Sequence, residues 1–368
     1  MSYKNIFFGI LIYFSFTFIL GCDSNPVDGN DKLNDCNNND TVGVWKFLGL
    51  ENETVTAIAV HPQKTNVIFA GTGKDFSAGI PGRLYRSNDC GKTWQVLFEG
   101  VGFKQSVTQI LFDPVNPNII YTNPHPILKS TDGGNTWKDI SSGIRLDWET
   151  SVGSIAIDPS NPNVLYAGTS GFFGGTLYKS TDKGNSWKNL YRNEEETPGL
   201  RDGAISLAID PNNSNIIYAG TANAGVLLKS TNAGFTWEIT GLGQTGQLIM
   251  DLTIDNKSSQ TIYAGISWNG FMKSLDGGNS WRQFNEGIED TVHGICLIIN
   301  PETSEFFAVT SMHDNGWIYH KKQEQLEWER FGIDALRVSY YYSDIFLTND
   351  FTYLLFGSKG GIYKIKLK

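Results

Sequence analysis

Nowhere in this sequence do lysines and arginines gather into a block, and the 29 basic residues are outnumbered by 38 acidic ones, for a formal charge of −9. A chain of that balance has no electrostatic footprint for holding a phosphate backbone, which excludes nucleic acid as the expected partner. Charged residues make up 18% of the chain, low for a protein built from solvent-facing helices. Five histidines, His61, His125, His293, His313 and His320, are scattered without metal-ligand spacing, and no nucleotide or redox motif occurs. Neither a metal nor a cofactor is expected. His61 stands at a corner where other parts of the chain carry Asp, so its expected role is structural.

Long hydrophobic runs are missing too, with one exception at the start. In "MSYKNIFFGILIYFSFTFILGC" an apolar run from Ile6 to Leu20 follows Lys4 and stops at Gly21 and Cys22. The run is short for a spanning helix and reads as a secretory signal over residues 1–21. Ile19-Leu20-Gly21-Cys22 is similar to a bacterial lipobox, which implies acylation of Cys22, a membrane anchor and an extracytoplasmic, cell-envelope location. Residues 22–41 are rich in Asn and Asp and poor in large apolar side chains, which predicts a flexible tether.

What the chain does have is a repeated octet. "SNDCGKTW" starts at Ser87, "STDGGNTW" at Ser130, "STDKGNSW" at Ser180, "STNAGFTW" at Ser230 and "SLDGGNSW" at Ser274, so the spacings are 43, 50, 50 and 44 residues. Periods of that length signal propellers or solenoids. Each octet closes a unit that begins with a short apolar strand and a corner such as Asp113-Pro114 or Asp158-Pro159. A "YAGT"-like strand, a variable loop and a third strand follow. Two further units after Trp281 lack the octet and keep the skeleton, which makes seven.

Each unit reads as four short strands with period-2 alternation and turn signals between them. The seventh stops after its third strand, and the segment Val42 to Leu50 matches the fourth. The expected fold is therefore all-β: a monomeric seven-bladed β-propeller of four-stranded antiparallel blades over residues 42–368, its ring closed by an N-terminal strand so that no edge is left open.

The octet resembles the Asp-box, or BNR-repeat, family, whose consensus is S-x-D-x-G-x-T-W. That family includes bacterial sialidases, xyloglucan-cleaving hydrolases, the sortilin ectodomain and photosystem II assembly propellers. The resemblance implies fold far more than function. Asp89, Asp132, Asp182, Asn232 and Asp276 hold the central position of the octet, where a carboxylate or amide hydrogen-bonds the turn, so they are assigned to structure. Strand parity puts every octet and every Asp-Pro corner on one side of the blades. The loops of variable length fall on the other side, the expected ligand side.

That side is expected to carry a rim of Phe76, Phe103, Arg145, Trp148, Phe172, Phe173, Arg201, Trp268, His313, Trp317 and Arg337, suited to a protein or glycan ligand. A glycosidase needs two facing carboxylates about 5 to 10 Å apart. Asp147, Glu149, Asp202, Glu289 and Asp290 are the candidates, and no pair among them stands out. Likeness to sialidases implies three arginines, a Tyr–Glu pair and an acid. Arg145, Arg201, Arg337 and Tyr340 to Tyr342 fall in suitable loops, but the Arg-Ile-Pro-like segment is missing and the blade number differs. The photosystem assembly propellers suggest an extracytoplasmic assembly helper, although this chain lacks a basic patch. Binding without catalysis is the first expectation, a glycoside hydrolase the second and an assembly factor the third. Of the remaining cysteines, Cys296 lies in an apolar strand and Cys36 and Cys90 fall close enough across neighbouring blade tips to pair.

Overall fold

The computed structural model describes residues 36, 40–73, 82–99, 106–123, 126–146, 150–171, 174–190, 203–222, 225–242, 247–288, 292–312, 315–332 and 344–368. Among these residues there are 28 strands and no helix. The first, β1 (Trp45–Gly49), stands apart from its sequence neighbours. The next four, β2 (Val55–Val60), β3 (Ile68–Thr72), β4 (Arg83–Ser87) and β5 (Gln95–Glu99), form a sheet in chain order. So do β6 (Ile110–Phe112), β7 (Ile120–Thr122), β8 (Leu128–Ser130) and β9 (Lys138–Asp139), and likewise β10 (Thr150–Ile157), β11 (Leu165–Gly171), β12 (Leu177–Ser180) and β13 (Lys188–Asn189). A fourth sheet holds β14 (Ala204–Ile209), β15 (Ile217–Thr221), β16 (Leu227–Ser230) and β17 (Glu238–Ile239).

An eight-stranded sheet follows. Its first half is β18 (Ile249–Asp255), β19 (Ser258–Ile266), β20 (Gly270–Ser274) and β21 (Arg282–Gln283), and its second is β22 (His293–Ile299), β23 (Phe306–Met312), β24 (Asn315–Lys321) and β25 (Glu329–Arg330). One parallel bridge, Gly270 to His293, joins the halves. The last three strands, β26 (Asp344–Leu347), β27 (Tyr353–Ser358) and β28 (Gly361–Lys366), pair in order, and β1 adds to β28 with Trp45 opposite Ile365. The segment expected to be a strand over Val42 to Leu50 is shorter, with Val42 making an isolated bridge to Lys366.

The sequence explains the gradient of burial. The first strand of a repeat, such as "VTAIAV" in β2, is apolar on both faces because each sheet packs between two others, and all six of its residues are buried. The last strand is two residues long in five cases, both residues exposed and all but Ile239 polar, which keeps an outer edge from recruiting other chains. First strands pack side by side: β2 with β6, β10 with β14, β14 with β18, β18 with β22, β22 with β26, and β26 with β2. Each Val, Leu or Ile enclosed this way contributes roughly 1.5–3 kcal/mol.

A belt of side chains runs along these inner strands. Ser154, Ser206, Asp251 and Asp344 each face a glycine of the second strand, and Cys296 faces Val309, at the same step of each ladder. From this belt Gln109 Oε1 accepts the Ile155 amide at 2.6 Å, Asp251 Oδ2 the Leu297 amide at 2.7 Å and Asp344 Oδ2 the Ile58 amide at 2.8 Å. Each acceptor thus satisfies a backbone N–H of the next repeat.

Candidate functional site

The octets form one side of the molecule, and their groups are consumed by the fold. In the octet at Ser180, Gly184 N donates to Ser180 Oγ (2.8 Å) and the Ser180 hydroxyl donates to Asp182 Oδ1 (2.7 Å). Ser186 then donates its amide to Asp182 Oδ1 (2.9 Å) and its hydroxyl to Oδ2 (2.6 Å). Asp89, Asp132 and Asp276 repeat this net. Asn232 completes it by donating Nδ2 to Thr236 Oγ1. The donors from Thr136, Ser186 and Ser280 pull the Asp132, Asp182 and Asp276 carboxyls down to about 2, so they stay ionised.

The turn takes positive φ at two successive residues, the fourth and fifth of the octet. The fifth octet residue is always Gly, and a Cβ on Gly184 (φ +84°) would lie 2.4 Å from Ile140 Cδ1. The fourth is Cys90, Gly133, Lys183, Ala233 or Gly277, all at φ between 56° and 72°.

The carbonyl of that fourth residue is seized by the preceding repeat. Lys129 Nζ donates to Lys183 O, Lys179 Nζ to Ala233 O, Lys229 Nζ to Gly277 O and Arg86 Nη1 to Gly133 O, at 2.8–3.2 Å. Tyr166 and Tyr218 add their hydroxyls to the same carbonyls of Ala233 and Gly277. The corners behave alike. Asp113 Oδ1 accepts the Val115 and Asn116 amides, and His61 Nδ1 does the same for Gln63 and Lys64. Burial, reinforced by Lys64, lowers the His61 pKa and keeps that nitrogen an acceptor.

On the opposite side, among the rim candidates, the described residues include Arg145, Trp268 and Trp317. Phe76, Phe103, Trp148, Phe172, Phe173, Arg201, His313 and Arg337 lie outside the described residues, as do Asp147, Glu149, Asp202, Glu289, Asp290, Tyr340 to Tyr342 and Cys22. Trp268 occupies the turn between β19 and β20 with φ +62°, a left-handed backbone that a bulky side chain rarely adopts, and it is 49% exposed. The turn is fixed from below: Asn285 Oδ1 accepts the Phe271 amide at 2.7 Å while its Nδ2 donates to Asn269 O at 2.8 Å. The indole leans over the eight-stranded sheet's second half, with its centroid 4.1 Å from that of the buried His293 ring.

Trp317 lies in β24 on that same half, its ring covered by the Arg330 guanidinium at 4.8 Å. The ladder Gly270–His293, His293–Ser311, Ser311–Gly316 runs between the two tryptophans. Arg145 is exposed in the connection between β9 and β10, where its amide donates to the Tyr178 hydroxyl at 3.2 Å.

Sequence reading missed a polar cluster on this side. Glu53 Oε1 accepts both Arg83 Nη1 at 2.8 Å and the Tyr85 hydroxyl at 2.7 Å. Burial and the Glu53 carboxylate push the Tyr85 pKa up to about 12, so the phenol remains a proton donor. The three residues sit in two different repeats, 30 and 32 positions apart, with no shared motif to draw attention. Among the described residues no group of three His, Cys, Asp or Glu side chains is placed to hold a metal ion.

The Sortilin-Vps10 family model, described as sortilin, neurotensin receptor 3, matches residues 82–197. A xyloglucanase from a Paenibacillus species is 25% identical over 277 residues, 64% of this chain and 22% of that protein. Xyloglucanase Xgh74A of Acetivibrio thermocellus is 29% identical over 256 residues, 59% of this chain and 25% of its own length. The chain thus spans about a quarter of the length of the curated relatives it matches. Among solved structures, the GH74 xyloglucanase from Xanthomonas campestris superposes with a TM-score of 0.67 at 16% identity, over 88% of this chain and 54% of that one. YCF48 bound to D1 peptide gives 0.60 at 14% identity, over 88% of this chain and 95% of that one.

Proposed function

From the five octets and these likenesses, which place the chain among the Asp-box β-propellers, we propose that it is a lipid-anchored, extracytoplasmic binding module that takes a protein or glycan ligand on its variable-loop side. Its architecture on this reading is a seven-bladed ring, with residues 1–21 removed, Cys22 acylated and residues 22–41 serving as tether. Closure is supported by the pairing of β1 with β28 and by the Ile58 amide bonded to Asp344. The observation that carries the ligand-side assignment is the contrast between the two sides. The octet groups are spent on one another and on the neighbouring repeat, whereas Trp268 is held half exposed in a strained turn. Backbone strain of that kind costs of order 1–3 kcal/mol and clusters at active sites, ligand clamps and switch regions.

Two alternatives have specific support. The xyloglucanase relatives favour a glycoside hydrolase, and the peptide held by YCF48 favours an assembly factor that binds a peptide. The test is a panel of xyloglucan and sialylated oligosaccharides, assayed for turnover and for binding, together with affinity capture from native membranes. Binding without turnover, lost in Trp268→Ala, is the expected result. Turnover abolished by substituting a pair among Asp147, Glu149, Asp202, Glu289 and Asp290 establishes the hydrolase instead.

A further inference from the structure

β1 enters its sheet from the octet side. Trp45 pairs with Ile365 near the end of β28, and the strand then runs toward the β27–β28 turn, with Gly49 opposite Ile362. The chain upstream is fastened to that same side at two further points. Asp40 is gripped by Lys364 at 2.5 Å and by Lys46 at 3.2 Å. Cys36 is joined by a disulfide to Cys90, the fourth residue of the first octet. Cys36 and Cys90 line a small cleft with Thr65 of the β2–β3 turn and with Thr348 and Asp350 of the β26–β27 turn, all on the octet side.

We propose that the octet side is the membrane-proximal face of the protein, held toward a lipid surface by the Cys36–Cys90 strap, so that the variable-loop side points away. This rests on the reading of Cys22 as the acylated residue. Cys36 lies fourteen positions after Cys22. A random coil of fourteen residues spans about 20 Å root-mean-square, and that length reaches at most about 48 Å. The height of a sheet, taken from the seven residues of β23 or β24, is about 23 Å. To lay the variable-loop side on the bilayer, the tether must climb that height and turn over the rim. The climb alone takes about half of that 48 Å limit and exceeds the root-mean-square span, before any turn over the rim. Resting on the octet side costs no such extension.

The strap matters because it shortens the leash. Without it the first fastened residue is Asp40, eighteen residues from Cys22, and the limit rises to about 61 Å. The ionised octet carboxylates keep this face wet, so it stands off the headgroups and does not insert. Ligands reaching Trp268 then come from the aqueous side.

Lys322, just after β24, lies on the octet side, and Lys359, in the β27–β28 turn, on the other; both are exposed. Cys296 is buried and Cys36 and Cys90 are bonded, so a cysteine introduced at either lysine accepts a donor dye selectively. Full-length acylated Lys322→Cys and Lys359→Cys proteins are placed on phosphatidylcholine vesicles carrying a headgroup acceptor dye. With the two sides about 23 Å apart, transfer from position 322 is expected to be at least about twofold higher, and the double substitution Cys36→Ser with Cys90→Ser, which leaves no free thiol at the octet, should narrow that ratio. Vesicle association with equal or inverted transfer overturns the orientation alone. Loss of any dependence of association on Cys22, read with Cys22→Ser, overturns the anchor and the orientation together.

Discussion

The repeats that carry the octet and those that lack it hold to their neighbours by different chemistry. From β4 to β21, each seam is clamped by an Arg or Lys on a carbonyl at the octet's fourth residue, and the Asp132, Asp182 and Asp276 carboxylates are held near pKa 2 inside their turns. Beyond β21 the octet is gone, and Lys321 stands where the octet Ser would be, reaching the Leu326 carbonyl instead. At the seams leading into and out of these last repeats, buried groups that titrate or oxidise take over. Asp251 binds the amide of Leu297, Asp344 binds that of Ile58, and the Cys36–Cys90 disulfide straps the amino-terminal segment to the first octet. The lesson is that a repeat fold becomes sensitive to its surroundings where the repeat breaks off.

Breaking the strap should have the largest effect. For a separation of 54 residues the chain-entropy account gives about 4 kcal/mol, so Cys36→Ser, or a dithiol reductant, should lower the denaturant midpoint markedly. An unchanged midpoint removes the strap from the comparison. Next comes the belt. Asp344→Ala leaves the Ile58 amide buried without an acceptor and should cost about 1–3 kcal/mol, whereas Asp344→Asn keeps an acceptor.

The same aspartates set a pH dependence. Burial raises Asp251 to about 7 and Asp344 to about 8, so the folded protein holds protons that the unfolded chain releases above pH 4. Their contribution is full below that pH and falls as pH rises toward 8. Melting temperature measured from pH 5 to 9 should therefore decline, and Asp251→Asn with Asp344→Asn should flatten the decline. A wild-type profile that rises over this range contradicts the assignment.

Within the octet half, Ser180→Ala removes the acceptor of Gly184 N and should cost about 1–2 kcal/mol at every pH in that range. Trp268→Gly is the smallest change in stability and the sharpest in function. Relieving φ +62° should raise stability by roughly 0.5–1 kcal/mol while abolishing ligand binding. A variant that binds as well as the parent takes Trp268 out of the site.

Much of this architecture was legible because the octets repeat letters at positions where a hydroxyl, a carboxylate and a glycine do one job. The missing fourth strand of the last unit, too, could be located at Trp45 by matching "VWKF" to "TWKD". The belt was illegible for the opposite reason. The same step holds Gln109, Ser154, Ser206, Asp251, Cys296 and Asp344, because any acceptor or small side chain serves there, and Asp344 looks like a surface acid until its strand is found fully enclosed. The second positive-φ residue of the turn was hidden likewise, since Cys, Lys and Ala occupy it beside Gly. Of the rim, parity gave the side but not the grouping, which depends on the single bridge between Gly270 and His293.

The contrast between the two halves is tested most directly by residue-resolved hydrogen exchange at pH 6 and pH 9, corrected for intrinsic rates, with and without a dithiol reductant. The account predicts that protection falls with alkali or reductant in β1, β2, β22 and β26 to β28 while β10 to β17 keep theirs. A loss spread evenly over both halves, or confined to β10 to β17, contradicts it.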